Sequence, residues 1–316
     1  MDQRNKREDF VWVERYRPRT IDDCVLSESA RASFKGYVDA GRVPSLLFCG
    51  GAGVGKTTAA RAICNEIGAD WMIINCSDER GIDVLRTKIK QFASTVSFTD
   101  SKKVIILDEA DYLTPEAQAA FRGLIEEFAH HCSFIFTCNF KNRIIEPLHS
   151  RCAVFEFKIP NAEKPDVAKG IFKRMCWILD TEGVEYDKKV VAELVQKHFP
   201  DFRRTINELQ RYSMNGKIDS GILVNAGEES YTPLLKALKE KKYQEIRKWV
   251  AQNSDIDSTK IFRDLYDMLH DKVKPNTIPN MVLSIAEYSY RAAFVADQEI
   301  NTMACLTQLM LELEYK

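Results

Sequence analysis

The chain has 316 residues and a formal charge of −1, with 45% hydrophobic and 29% charged residues. That length exceeds one simple core and implies two or three domains of ordinary globular composition. Near-neutral charge excludes wholesale electrostatic attachment to nucleic acid, so any basic surface must be local. The sequence has no apolar run near the ~18 residues that a membrane span needs. Nine cysteines stand singly, without a Cys-x-x-Cys pair; they read as reduced, buried small hydrophobes of a cytoplasmic protein. The first nine residues are polar and charged, which argues against an export signal.

In chain order, Ser45–Cys49 is a short apolar strand-like run leading into Gly50–Thr57, GGAGVGKT. The glycines let backbone N–H groups curl around a phosphate, Lys56 can reach the β/γ-phosphates, and Thr57 offers a hydroxyl to Mg²⁺. Ala60, Ile63, Cys64 and Ile67 then share a helical face, so the loop feeds a helix N-terminus. Trp71–Asn75 is a second strand. Ile82, Leu85, Ile89 and Phe92 make the apolar face of the next helix. Arg86 and Lys90 project from its other side, with Asp83 among them and Arg80 just before. A solvated helix face and a phosphate-contacting one both fit this pattern. Val104–Leu107 is a strand tipped by Asp108 and Glu109, where a Mg²⁺ shell and a water-polarising carboxylate are needed after a P-loop. Thr114 and Pro115 open a helix with the stripe Ala117, Ala120, Phe121, Leu124, Ile125 and Phe128. Phe134–Cys138 ends in Asn139, whose amide can orient a water or serve as a turn residue. Arg151 stands just before the last strand, Val154–Phe157.

From Ile159 the pattern turns purely helical, with Pro160 and Pro165 punctuating a linker. Asp201, Phe202, Arg203 and Arg204 start a helix over Thr205–Tyr212. A break near Asn215–Gly227 separates this segment from a last helical stretch. There Ile261, Leu265, Met268 and Leu269, then Met281, Ile285 and Tyr288, form stripes. Met303–Leu313 is apolar almost all round, which demands burial. The expected organisation is α/β: a P-loop domain with a parallel sheet at 1–157, a small helical lid at 158–226 and an all-helical oligomerisation domain at 227–316.

The order P-loop, Asp-Glu-Ala-Asp, Thr-Cys-Asn and Ser-Arg-Cys resembles the AAA+ ATPases of the sliding-clamp-loader family. Trp12–Pro18 (WVERYRP) is similar to the N-terminal signature of replication factor C subunits, and Ser77–Ile82 (SDERGI) to the family's DNA-facing helix start. Phe199–Leu209 (FPDFRRTINEL) most resembles the ATPase subunit of T4-type bacteriophage clamp loaders. This resemblance implies that Val13, Glu14, Arg15, Tyr16 and Val25 line the adenine and ribose pocket. It implies phosphate binding by Gly53, Val54, Gly55, Lys56, Thr57 and Thr58, and Mg²⁺ binding by Thr57 and Asp108. Glu109 would polarise the attacking water, and Asn139 and Arg203 would sense the γ-phosphate. Arg151 would be the finger given to a neighbouring subunit's ATP.

The implied activity is hydrolysis of ATP, with Mg²⁺, by a subunit of a loader that opens a sliding clamp and fits it around primer–template DNA. Arg80, Arg86 and Lys90 would meet the DNA backbone. If Arg80 swings onto Glu109 without DNA, phosphate would compete for it and free the carboxylate. Partners would be the clamp, further copies of this chain and a distinct small subunit in a ring or open spiral; no membrane is involved. Clamp contacts would come from the helix bearing Ala117, Phe121 and Phe128, or the loop Ser94–Asp100 with Val96 and Phe98. The expected location is the cytoplasm, that of an infected bacterium if the chain is phage-encoded. A cellular replication factor C small subunit and a DNA-translocating AAA+ motor such as a branch-migration helicase are the alternatives. The motor would normally end in a winged DNA-binding domain.

Overall fold

A computed structural model describes residues 10–78, 82–95, 103–214, 216–224, 228–254 and 256–316. The expectations placed on Arg80, Val96 and Phe98 lie outside the described residues. The elements run α1 (Trp12–Arg15), α2 (Glu28–Asp39), β1 (Leu46–Cys49), α3 (Lys56–Glu66), β2 (Trp71–Asn75), α4 (Ile82–Ser94), β3 (Lys103–Asp108), α5 (Pro115–Glu127), β4 (Cys132–Cys138), α6 (Glu146–His149) and β5 (Ala153–Glu156). They continue as α7 (Lys164–Glu182), β6 (Glu185–Tyr186), α8 (Lys188–His198), α9 (Phe202–Ser213), β7 (Lys217–Ile218), α10 (Gly221–Val224), α11 (Glu228–Lys239), α12 (Tyr243–Gln252), α13 (Ser258–Leu269), α14 (Ile278–Ala292) and α15 (Gln298–Glu312).

Strands β1–β5 form one parallel sheet in the order β2-β3-β4-β1-β5. The continuous apolar runs make sense because the three central strands are covered on both faces. On one face Leu47, Ile105, Leu107, Phe134 and Phe136 pack against α4 and α5. On the other, Leu46, Phe48, Val104, Ile106 and Ile135 pack against α2 and α3. Thr114 caps α5 by accepting from Ala117 N at 3.2 Å, with Pro115 at its first position.

Leu85 and Ile89 of α4 are buried, with Ile82 and Phe92 packed beside them. The α5 stripe corrects one expectation. Ala117 and Phe121 are buried in the core and Phe128 is half-buried against it, so the spacing of the stripe records core packing.

The segment after β5 is not purely helical. β6 and β7 pair in parallel, Glu185 opposite Lys217 and Tyr186 opposite Ile218. Helix α9 begins three residues before the predicted Thr205, because Asp201 caps it, accepting from Arg204 N at 3.0 Å. The lid core (Ile171, Met175, Leu179, Val191, Leu194, Leu209) takes in Trp12 and Tyr16 from the other end of the sequence. Trp12 N donates to Gln210 Oε1 at 2.9 Å, and Arg15 pairs with Glu182 at 2.8 Å. The N-terminal segment is therefore a strap tied to the lid.

The chain divides into two compact units between Leu223 and Val224. The second packs α11–α15 around Leu234, Phe262, Leu265, Met281, Leu306 and Leu309. The predicted stripes through Ile261, Leu265, Leu269, Met281, Ile285 and Tyr288 are buried there. On helix α15, Cys305, Leu306, Leu309 and Met310 face the unit's core, while in the single chain Ile300 and Leu311 are two-thirds exposed, at 67% and 66%. Among the described residues no helix is long and apolar enough to cross a membrane.

Candidate active site

A pocket opens where the C-terminal ends of β1, β3 and β4 meet the strap and the lid. This is where ligands bind in open parallel sheets. Its floor is the P-loop. Gly53 and Gly55 hold φ of 72° and 93°, conformations that a side chain disfavours by roughly 1–2 kcal/mol. Gly55 caps α3, so the first N–H groups of that helix point at the pocket.

Lys56 is buried, and its Nζ donates to Gly50 O (2.8 Å), Gly51 O (2.7 Å) and Asn139 Oδ1 (2.9 Å). Burial holds its pKa below the ordinary lysine value, against the raising influence of Asp108 and Asp111. Phosphate oxygens are the natural replacement for these three acceptors.

Thr57 Oγ1 donates to Asp108 Oδ1 at 2.6 Å, and Thr137 Oγ1 donates to the same oxygen at 2.5 Å. A hydroxyl and a carboxylate so close form the hard-oxygen donor set that suits Mg²⁺, so the residues present fit the ion. Glu109 adopts a left-handed backbone, φ 57°, and its N–H donates to Thr137 Oγ1 at 3.1 Å. A non-glycine residue in that region is strained by about 1–2 kcal/mol, and such strain persists where the surroundings impose a geometry.

Behind the site, buried Asp111 accepts from Asn139 N and Phe140 N, each at 3.3 Å. That fixes the turn presenting Asn139.

The upper wall is apolar: Val13, Tyr16, Cys24, Val25 and Leu26 face Ile171, Met175 and Ile206 of the lid. A flat base fits such a slot, and the phosphates would lie toward Lys56. The strap is braced from within. Arg17 donates to Thr58 Oγ1 at 2.9 Å and to Glu14 Oε2 at 3.0 Å, and Arg174 donates to Tyr16 O at 2.9 Å. Arg203 enters the pocket from the start of α9.

The structure thus brings together Val13, Tyr16, Val25, Gly53, Gly55, Lys56, Thr57, Thr58, Asp108, Glu109, Asn139 and Arg203. Two expected adenine-pocket residues have their side chains turned elsewhere: Glu14 to Arg17 and Arg61, and Arg15 to Glu182, the charged pair of the strap being held by ion pairs. The Val54 side chain is buried, so its part in the P-loop can only be through its backbone. Arg151 is outside its own chain's pocket, donating to Glu126 Oε1 (2.8 and 2.9 Å) and Pro147 O (3.0 Å). Arg86 is exposed on α4, and Lys90 lies 3.8 Å from Glu127.

Sequence reasoning missed Arg17, Thr137 and Arg174. Thr137 carried a signal, being one residue from the end of the strand beside Asp108. Arg17 and Arg174 carried none, since the bonds that bring them to the pocket go to Thr58 and to the Tyr16 carbonyl, both distant in sequence.

A phosphate-cradling loop, an acidic strand tip and an amide-tipped neighbouring strand, closed by a helical lid, define a AAA+ P-loop ATPase. Residues 46–160 match the family model for the ATPase family associated with various cellular activities (AAA). Residues 163–224 match that for the sliding-clamp-loader large subunit, AAA+ ATPase lid domain.

The chain is 36% identical to the sliding-clamp-loader large subunit of Enterobacteria phage T4, covering 99% of each chain. It is 38% identical to that of Escherichia phage RB69, covering 98% of each. It is also 35% identical to the replication factor C small subunit of Archaeoglobus fulgidus, over 95% of this chain and 97% of the relative. A solved RuvB mutant of Thermotoga maritima shares the fold, with TM-score 0.53 and 16% identity over 66% of this chain and 72% of that one. The chain belongs to the family of sliding-clamp-loader ATPase subunits.

Proposed function

We propose that the chain is an ATP-hydrolysing subunit of a loader that opens a sliding clamp and places it on primer–template DNA during replication. The observation that carries this reading is the closed pocket itself. Lys56, Thr57, Asp108, Glu109 and Asn139 converge from three strand ends, and Arg203 arrives from the lid. Among the described residues the C-terminal unit is helical apart from one bridge, Val273 to Tyr315. That supports the loader over a motor ending in a winged domain.

ATP with Mg²⁺ supplies the phosphoanhydride and neutralises charge on the transferring group. Lys56 exchanges its three oxygen acceptors for phosphate oxygens. Thr57 and Asp108 would hold the metal. The Glu109 carboxylate draws a proton of the attacking water, oriented by Asn139. Arg203 couples lid position to the γ-phosphate. Arg151 leaves Glu126 for the ATP of a neighbouring copy, a contact worth about 10³–10⁵ in rate in other NTPases. Head-to-tail donation of this kind builds a ring or open spiral, here with a distinct small subunit. Arg86 and Lys90 would meet the DNA backbone without reading sequence, so binding would fall steeply with salt. The complex would work in the cytoplasm, a bacterial host's if the source is a phage.

Clamp capture by a Glu109→Gln loader tests the reading. It should bind the clamp only with ATP, then fail to release it on primed DNA. Capture indifferent to ATP, or release at the wild-type rate, would count against it.

A further inference from the structure

Cys49 ends β1 and Cys138 ends β4, and the two stand opposite one another in the parallel register. Both are buried, 3% and 1% exposed, and Cys138 Sγ donates to Cys49 Sγ at 3.3 Å. Each is followed by a residue that holds Lys56: Gly50 through its carbonyl and Asn139 through Oδ1. The two backbones are also joined directly, Gly50 N donating to Cys138 O at 3.2 Å. Cys138 forms part of the nucleotide pocket wall, which gives small solutes a path to the pair.

We propose that Cys49 and Cys138 are an oxidation site, at which a hydroperoxide reaching the nucleotide pocket converts the dithiol to a disulfide and stops ATP hydrolysis. One sulfur attacks the peroxide: an S–O bond forms, the O–O bond breaks, and the thiol proton leaves with the departing oxygen as water or alcohol. The second sulfur then displaces that hydroxyl. The S–S bond forms, the S–O bond breaks, and the second thiol proton leaves in water. The two sulfurs together are oxidised by two electrons and the peroxide is reduced by two. A thiol reductant reverses the bond by exchange.

Geometry favours this pair. Neighbouring parallel strands lie about 4.8 Å apart, within the span a disulfide bridges, and the sulfurs need only close to about 2.05 Å. The hydrogen bond from Cys138 holds the Cys49 thiol below its ordinary pKa despite burial, and the same pairing pushes Cys138 up. Competing thiols are poorer nucleophiles: burial pushes Cys24, Cys64, Cys152 and Cys305 up to about 12, and raises Cys176 as well. Closing the sulfurs drags Gly50 and Asn139, two of the three groups that hold Lys56. An ångström-scale displacement of that kind costs about 10²-fold in rate.

The test is hydrogen peroxide treatment of the full-length protein, followed by a non-reducing peptide map and an ATPase assay. The expected result is a Cys49–Cys138 linked peptide and a loss of about 10²-fold in turnover. Dithiothreitol should restore it, and saturating ADP during oxidation should slow it. Cys49→Ala should keep its turnover under the same treatment. Inactivation without the linked peptide would overturn the proposal, as would inactivation of Cys49→Ala at the wild-type rate. The map reads the bond in the wild-type chain, so the outcome does not depend on how the variant folds or on the clamp-loader reading.

Discussion

The carbonyl of Gly53 accepts the N–H of Phe202 at 3.1 Å, joining the P-loop to the first residue of the lid helix α9. Beside that bond, a Cβ on Gly53 would lie 1.8 Å from Asp201 Oδ1, and Gly53 has φ 72°. A larger residue there would therefore have to push aside the Asp201 carboxylate that caps α9. Gly53→Ala should displace the α9 N-terminus and destabilise the closed form by about 1–3 kcal/mol, the scale of backbone strain at such positions. ATP affinity should fall in proportion, about 5- to 150-fold. Unchanged affinity by calorimetry would show that the contact does not matter.

Thr137 serves two groups at once, donating to Asp108 and accepting from Glu109 N. Thr137→Val removes both bonds at nearly constant volume and leaves a backbone N–H unpaired, a cost of about 1–3 kcal/mol. Turnover should fall by roughly 10- to 100-fold, with ATP affinity much less affected, because the phosphate contacts of Lys56 and the P-loop are untouched. A loss confined to affinity would contradict this assignment.

Arg17 ties the strap to α3 through Thr58 and to Glu14. Arg17→Ala should weaken ATP binding by about 1.5–3 kcal/mol, since charged hydrogen bonds are worth roughly that much. Glu14→Gln should reproduce part of the effect, keeping the shape of the partner but not its charge. Binding by fluorescent ATP analogue checks both.

Tyr16 donates its hydroxyl to Glu182. Burial first, then that bond and the Glu182 charge, push its phenol from 10.0 up to about 12. A group whose folded pKa is raised contributes stability that is fully present below the unfolded value and is lost as pH rises through the folded one. The strap–lid tie should accordingly persist throughout neutral pH and weaken only between pH 10 and about 12. Glu182→Gln should bring the Tyr16 titration, followed by NMR, back toward 10.0.

The central strands of the sheet were legible because strands buried on both faces write continuous apolar runs, and the P-loop because phosphate binding constrains type and spacing together. Other features depend on distant partners. Phe121 and Phe128 carry a periodicity that exposure and burial share, so the stripe alone could not separate a clamp contact from core. Glu14 and Arg15 sit beside true lining residues, yet their charges are satisfied by Arg17 and by Glu182, 167 positions away. The β6–β7 pair is too short to show a period of two. Helix α9 starts early because of the Asp201 cap, whose residue type was visible but whose geometry was not.

Arg151 is paired with Glu126 in the single chain. In the assembled loader, Arg151→Ala should leave ATP binding unchanged and cut turnover by about 10³-fold or more, the scale of an arginine finger. Glu126→Ala, which only frees the arginine, should not reduce turnover.

Steady-state ATPase of the assembled loader, measured with clamp alone, primed DNA alone and both together, tests the central claim most directly. A subunit that couples hydrolysis to clamp placement should be stimulated by the two together well beyond the sum of each. Full stimulation by DNA with no clamp present would contradict the account.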